Sequence, residues 1–248
     1  MAPLKLMSYN CRGFTKSKFA YVNKLFLHTD FLFIQEHWLR NNDLGFLCNA
    51  SNDVSYYGCS AMSDNVVLEG RPYGGVAILW HNRLNRLVTP YKHFSDRCCA
   101  VKVDFGNFTC ALICAYFPTD NFSNQASDEL GIVLDELEMF IHTLNVDCIL
   151  IGGDINTDFS RCNAQSNSVS AFSERVNVLP DVSFLQAPFS FTRSDGNAFS
   201  FIDHFLVSGA YASSVTCVDW CLMILILMRS IFLIIVQYLS LLCLLVSI

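Results

Sequence analysis

The segment ILIGGDINTDF, residues 149–159, ends an apolar run in Asp154 and Asn156, two residues apart. In extended backbone such a pair leaves on one face and can address a common cation. Gly152 and Gly153, just ahead of it, let other backbone come close. Two earlier segments have the same form: LKLMSYN, residues 4–10, delivers Asn10 ahead of Cys11, Arg12 and Gly13, and FLFIQE, residues 31–36, delivers Glu36 ahead of His37 and Trp38. CALICAYFPT, residues 110–119, leads into Tyr116 and Pro118, and FSFIDHFLVS, residues 199–208, carries Asp203 in the middle of a strand-like run. A carboxylate buried at a strand end costs stability unless a cation or hydrogen-bond donors meet it. Singly these residues have ordinary readings: Asn10 and Asn156 as turn caps, Tyr116 as a core aromatic, Asp203 as an N-cap. Together they describe one oxygen-lined pocket at one edge of a sheet structure. Hard oxygen ligands suit Mg2+, or Mn2+, whereas zinc recruits His or Cys.

The elements that must position these residues are alternating strands and helices. Phe19, Val22, Leu25 and Phe26 fall at helical spacing within residues 16–28, which predicts an amphipathic helix over a sheet face. Residues 54–60 and 74–81 read as strands, and residues 98–105 with 108–117 as a hairpin whose second strand delivers Tyr116. The longest predicted helix covers residues 127–144, with Ser127 as N-cap and an apolar face through Leu130, Val133, Leu134, Leu137, Phe140, Ile141 and Leu144. It leads into the strand that presents Asp154. Residues 160–170 read as a polar loop and residues 171–179 as a helix.

In this order, SYNCRG, IQEHW, AYFPT, IGGDINTDF and FIDHFLVS resemble the endonuclease/exonuclease/phosphatase superfamily. Within it they are most similar to the DNA-nicking endonuclease domain of non-LTR (LINE-type) retrotransposons. The resemblance runs from residue 4 to about residue 210. It implies an α/β fold, a four-layered α/β sandwich of two β-sheets flanked by helices, with a metal- and phosphate-binding pocket at one end. It also implies Mg2+ as cofactor and DNA as substrate. Carried onto this chain, the resemblance makes Glu36 the metal-binding glutamate and Asn10 the asparagine on the metal or phosphate side. Asp154 would orient or deprotonate the attacking water, Asn156 would hold a phosphate oxygen, and Tyr116 would hydrogen-bond the scissile phosphate. Asp203 resembles the aspartate close to the metal and the histidine. Arg12, two residues after Asn10, is the best candidate for a direct phosphate contact.

The family's last motif, a Ser-Asp-His segment followed by a final strand, is missing, so the sandwich is expected to lack its last strand. That histidine would oppose the phosphate's developing charge, and single donors of this kind are worth ~100- to 1000-fold in rate. The metal pocket is therefore expected to outlast efficient catalysis.

From Cys221 onward the chain is almost wholly apolar, with Arg229 its only charge, which divides it into a domain of residues 1–219 and a hydrophobic tail of residues 220–248. Residues 230–248 reach the length of a membrane-spanning helix, ~18–25 residues. One reading is a tail anchor through residues 222–248, attaching a cytosolic domain or noncatalytic remnant to a membrane. The other is a coding end read in a shifted frame, favoured by the abrupt loss of the family pattern. A tail packed into the core is disfavoured, because nothing polar alternates in it.

The chain of 248 residues suits one such domain and is tight for two. Its 12 cysteines are irregularly spaced, no CxxC pair occurs and no secretory signal opens the sequence, so they read as reduced core residues of a cytoplasmic or nuclear protein. The net charge of −6 gives no global attraction to DNA. Basic residues concentrate before residue 103 and acidic ones after it; Lys5, Arg12, Lys16, Lys18, Lys24, Arg83, Arg86, Lys92, Arg97 and Lys102 could form a basic rim near the pocket mouth, with ordinary solvated surface as the preferred reading. A phosphatase or phosphodiesterase of the same superfamily is the alternative activity.

Overall fold

The structure, a computed structural model, describes residues 4–68, 70–120, 123–180, 190–192, 199–219 and 241–246. Two parallel crossovers organise it. β1 (Leu4–Asn10) leads through α1 (Phe19–Phe26) to β2 (Phe31–Gln35), which lies parallel to β1. Antiparallel β3 (Val54–Cys59) and β4 (Val76–His81) extend this first sheet. The second sheet opens with β5 (Val88–Pro90), β6 (Cys98–Asp104) and β7 (Thr109–Tyr116); α2 (Asn124–His142) then crosses to β8 (Cys148–Asp154), parallel to β7. After α3 (Ala164–Arg175) come β9 (Val178–Pro180), a short ribbon of β10 (Phe191–Thr192) and β11 (Phe199–Ser200), and β12 (Asp203–Ser208). β13 (Val215–Asp219) and β14 (Leu241–Val246) return to the first sheet. The strand orders are β13-β14-β1-β2-β4-β3 and β5-β6-β7-β8-β12-β9. Parallel neighbours require crossovers of a dozen or more residues, and α1 and α2 supply them.

Three apolar clusters define the layers. The central one, with Leu6, Phe31, Phe33, Ile78, Val101, Leu112, Leu150 and Phe205, lies between the sheets. A second packs α2 and α3 onto the outer face of one sheet, and a third packs α1 onto the outer face of the other. The result is the layered α/β sandwich that the resemblance implies.

Strand alternation decides what faces the gap between the sheets. Leu4 and Leu6 face it in β1, Phe31 and Phe33 in β2, Cys110, Leu112 and Cys114 in β7, Cys148 and Leu150 in β8, and Phe205 and Val207 in β12. Continuing each series by twos reaches Asn10, Gln35, Tyr116, Asp154 and Asp203. Each of these lies at the end of its strand, so a single period turns an apolar core into a polar mouth.

The structure moves several boundaries. The long helix begins one turn before the expected Ser127: Ser123 is its N-cap, and its hydroxyl accepts from the Ala126 N–H at 3.1 Å. Most of the expected loop 160–170 is α3, because Asn163 and Ser166 close a reciprocal capping box that starts it early. Asp203 opens β12 rather than lying mid-strand, since Phe201 and Ile202 break the run.

The tail's described part, Leu241–Val246, runs in the first sheet between β13 and β1. A strand paired on both edges needs no polar alternation if both faces are covered, so the absence of alternation did not exclude packing. The rest of the expected membrane segment, residues 222–240 with 247–248, lies outside the described residues. Among the described residues no helix is long and apolar enough to cross a membrane. Neither β13 nor β14 carries a histidine.

Candidate active site

One amide joins the two carboxylates singled out by the sequence. The side-chain nitrogen of Asn10 donates to Glu36 Oε1 at 2.8 Å and to Asp154 Oδ2 at 2.9 Å, across the two sheets. The amide oxygen of Asn10 accepts from the Arg12 N–H at 3.1 Å, which fixes the side chain's orientation. Glu36 would follow Ile34 to the outer face if β2 simply continued; a positive φ of 53° at Glu36 swings it back to Asn10.

Backbone strain concentrates at the same place. Among the described residues, the non-glycine positions with positive φ are Arg12 (43°), Glu36 (53°), Trp38 (59°), Asn156 (51°) and Asn177 (52°). All but Asn177 belong to the mouth. Such conformations cost roughly 1–3 kcal/mol each and persist where surrounding contacts over-determine them. Here the contacts are visible: Gly13 and Phe14 donate to the Glu36 and His37 carbonyls at 2.7 and 2.9 Å, and His37 and Trp38 donate to those of Gly75 and Gly74 at 3.4 and 3.0 Å.

Asp154 sits at the centre of a transverse row. Tyr116 is its register partner on parallel β7, and Asp203 its partner on antiparallel β12. Burial, with the Glu36 charge added, pushes Asp154 up to about 7, against the Asn10 amide, the Asn156 N–H and the Arg12 charge. Burial and the nearby Glu36 and Asp154 charges raise the Tyr116 phenol, which keeps it a hydrogen-bond donor. Asn156 donates its backbone N–H to Asp154 Oδ1 at 3.2 Å and its amide to the Phe117 carbonyl at 2.8 Å. Asp203 is 1% exposed, and its N–H donates to the Ser190 hydroxyl at 3.0 Å. Arg12 is exposed at the rim, close enough to favour the charge on Asp154. The structure thus brings Asn10, Glu36, Asp154, Asn156, Tyr116, Asp203 and Arg12 to one end.

Gln35, at the mouth, was not singled out from the sequence, and Lys18 and Arg97 entered only as members of a candidate basic rim. Gln35 is fully buried; it accepts from Ser8 and donates to the Cys114 sulfur, filling the step between apolar core and polar mouth. Lys18 donates to the Cys11 and Arg12 carbonyls and ties down the turn after β1. Arg97 lies 5.6 Å from the Tyr116 ring and bonds Glu129, beside a cleft of about 250 Å3 that Pro118, Thr119 and Gln125 also line. The inward parity of Gln35 could have found it; Lys18 and Arg97, from the candidate basic rim, stand beside the turn after β1 and the Tyr116 ring.

Neither buried histidine substitutes for the missing one. His204 is next to Asp203 but on the opposite face of β12, where its Nε2 meets the Thr157 and Phe201 carbonyls at 2.8 and 3.1 Å. His37 bonds the Cys59 carbonyl and the Leu39 N–H. Burial lowers both to about 4, so they are neutral structural groups.

Among the described residues, no three or more His, Cys, Asp or Glu converge as a preformed metal cage. Mg2+ does not require one, since it keeps several waters and takes one or two carboxylates together with substrate phosphate. Glu36 and Asp154, drawn together by a single neutral amide and exposing only oxygen, fit that mode. Burial first, and the Glu36 charge after it, disfavour ionised Asp154, and a dication would offset both.

Residues 7–230 match the Endonuclease/Exonuclease/phosphatase family. The chain belongs to that family. A comparison with curated protein sequences gives no match. Among solved structures, the fold is similar to the AP endonuclease LMAP from Leishmania major, with a TM-score of 0.77 and 15% identity over 99% of this chain and 88% of that one. It is similar to the 3' phosphatase NExo from Neisseria bound to a product DNA hairpin, with a TM-score of 0.70 and 14% identity over 98% of both chains. It is similar too to the endonuclease domain of TRAS1, a telomere-specific non-LTR retrotransposon, with a TM-score of 0.68 and 10% identity over 99% of this chain and 98% of that one. At such identities the likeness establishes the fold of the endonuclease/exonuclease/phosphatase family and favours no one branch of it.

Proposed function

We propose that this chain is a Mg2+-dependent phosphodiester hydrolase that nicks DNA, of the kind found in retrotransposon endonuclease domains, and that it turns over slowly. The observation that carries the reading is the Asn10 amide bonded to both Glu36 and Asp154, which gathers oxygen donors from two sheets at one mouth. Glu36, with Asn10 beside it, would hold the cation, with Mn2+ as a substitute. When bound, it would supply Lewis-acid withdrawal of charge from the phosphate. Asp154 orients a water in line with the scissile bond and takes its proton as general base. Asn156 and the protonated phenol of Tyr116 donate to the non-bridging oxygens. Asp203, opposite Asp154, would stand close to the cation, and Arg12 meets the phosphate at the rim. No histidine faces the phosphate among the described residues, which supports a rate about 100- to 1000-fold below that of a relative with the full set of donors.

The test is nicking of supercoiled plasmid. Relaxation that requires Mg2+ and disappears in E36A and D154A is the expected result; metal-independent nicking, or nicking that survives either substitution, would sink it. A phosphatase of the same family is the alternative reading, with removal of terminal phosphate from DNA as its simplest form. Release of phosphate from a 3'-phosphorylated hairpin without plasmid nicking would select it.

A further inference from the structure

Trp38 is the bulky residue with the strained backbone that the proposed chemistry leaves unused. Its indole N–H donates to Glu36 Oε2 at 3.2 Å, while Asn10 holds Oε1. Two neighbours pack against its ring. A Cβ at Gly13 would fall 2.6 Å from the ring atom Cε3, so Gly13 is the floor on which the indole lies. The Arg71 guanidinium lies over the ring, 5.4 Å from its centroid. Beneath the segment, His37 is wholly buried and packs where a Gly75 side chain would stand, its Cε1 only 2.3 Å from that position. Glu36 and Trp38 both adopt positive φ, which an aromatic residue seldom does. A segment clamped this tightly holds the indole N–H in one place.

We infer that Trp38 is a positioning residue: its N–H fixes the Glu36 carboxylate so that its free lone pairs meet a hard divalent cation. The inference rests on the metal-dependent reading of the site above. An indole is donor-only and neutral, so it orients the carboxylate without cancelling its charge. A lysine or arginine in its place would supply the hydrogen bond and compete with the cation. Asn10 has the same character on the other oxygen. Asn10 and Trp38 thus hold the two oxygens of Glu36 with neutral donors, and neither brings a positive charge that would compete with the metal. A purely structural tryptophan would need neither an N–H aimed at the carboxylate nor strained backbone to aim it.

The experiment measures Mn2+ uptake directly, by the electron paramagnetic resonance signal of the free ion, on full-length protein without DNA. W38F keeps the ring and removes the donor. It should retain the wild-type urea midpoint and bind Mn2+ about tenfold more weakly, the weight of a hydrogen bond to a charged group. W38H, which restores a ring N–H, should recover part of that loss. In wild-type protein, Mn2+ should quench tryptophan fluorescence at the same concentrations, and E36Q should abolish that quenching; this arm needs no change at Trp38. Equal Mn2+ affinity in wild type and W38F, or quenching unaffected by E36Q, would overturn the positioning role while leaving the nuclease reading intact. Mn2+ uptake that depends on Trp38 and Glu36, in a protein that nicks no plasmid, would leave the role standing and remove the nuclease. No uptake by wild type would overturn both.

Discussion

At the scale of single residues, the site is a problem in charge. Asp154 is 5% exposed, and Glu36 is one amide away. With its folded value at about 7, well above the ordinary ~3.9 of an aspartate, ionising Asp154 costs more in the folded chain than in the unfolded one. The sign follows: below pH ~4 the group is protonated in both states and contributes no difference, and between about 4 and 7 the folded state loses stability as pH rises. Above 7 the loss is complete. D154N keeps an oxygen for the Asn10 amide and removes the ionisation. In metal-free buffer it should therefore be more stable than wild type at pH 8, by on the order of 2 kcal/mol, with the gap closing toward pH 4. Urea unfolding across that range measures it, and a gap that does not change with pH would contradict a desolvated Asp154. Mg2+ should narrow the gap at pH 8, because it stabilises the ionised wild-type pair and has less to gain from the variant.

At the scale of elements, the site depends on where strands stop and how closely they lie. Gly153 has a φ of 149°, and a Cβ there would stand 2.0 Å from the Ala115 carbonyl oxygen of the neighbouring strand β7. G153A must separate β7 from β8 next to the Tyr116–Asp154 pair, so it should cost about 3 kcal/mol or more. Unfolding in urea would show the cost, and a loss under 1 kcal/mol would mean the two strands are not so closely packed. The sequence made much of this legible. Apolar runs ending in Asn10, Glu36, Tyr116 and Asp154 marked the strands, and the paired glycines marked the close approach. It also carried the parity that sends Asp203 inward and His204 outward. Other features were hidden because local signals competed. Ser123 and Ser127 are both plausible caps for α2, and only packing of its apolar face chooses between them. The polar composition of residues 160–170 masked a helix start, although Asn163 and Ser166 stand at capping-box spacing. The left-handed turn that returns Glu36 to the site has no sequence signature, since its strain is sustained by contacts from Gly13, Phe14, Gly74 and Gly75.

At the scale of the whole molecule, the question is what holds the edge of the first sheet. β1 lies between β2 and β14, pairing with β14 from Leu4 opposite Val246 to Tyr9 opposite Leu241. β13 reaches the sheet through β14 alone. Because β1 ends in Asn10, the same pairing steadies the amide that joins Glu36 to Asp154. Without β14, β1 would become an edge with unpaired N–H and C=O groups along an apolar strand, a template for association with other chains. Removal of residues 241–248 should therefore lower the soluble yield and speed hydrogen exchange of the β1 amides that point toward β14. Amides in β8, at the centre of the other sheet, should keep their protection. L244P offers a milder version: Leu244 pairs with Leu6 on one side and Val218 on the other, and a proline there removes a donor from the middle of a sheet. If β1 exchanges equally in the full and shortened chains, β14 does not complete the sheet in solution. Faster exchange confined to β1 and β13, together with weaker Mn2+ uptake, would show that an apolar segment with no catalytic residue of its own keeps Asn10 where the proposed chemistry needs it.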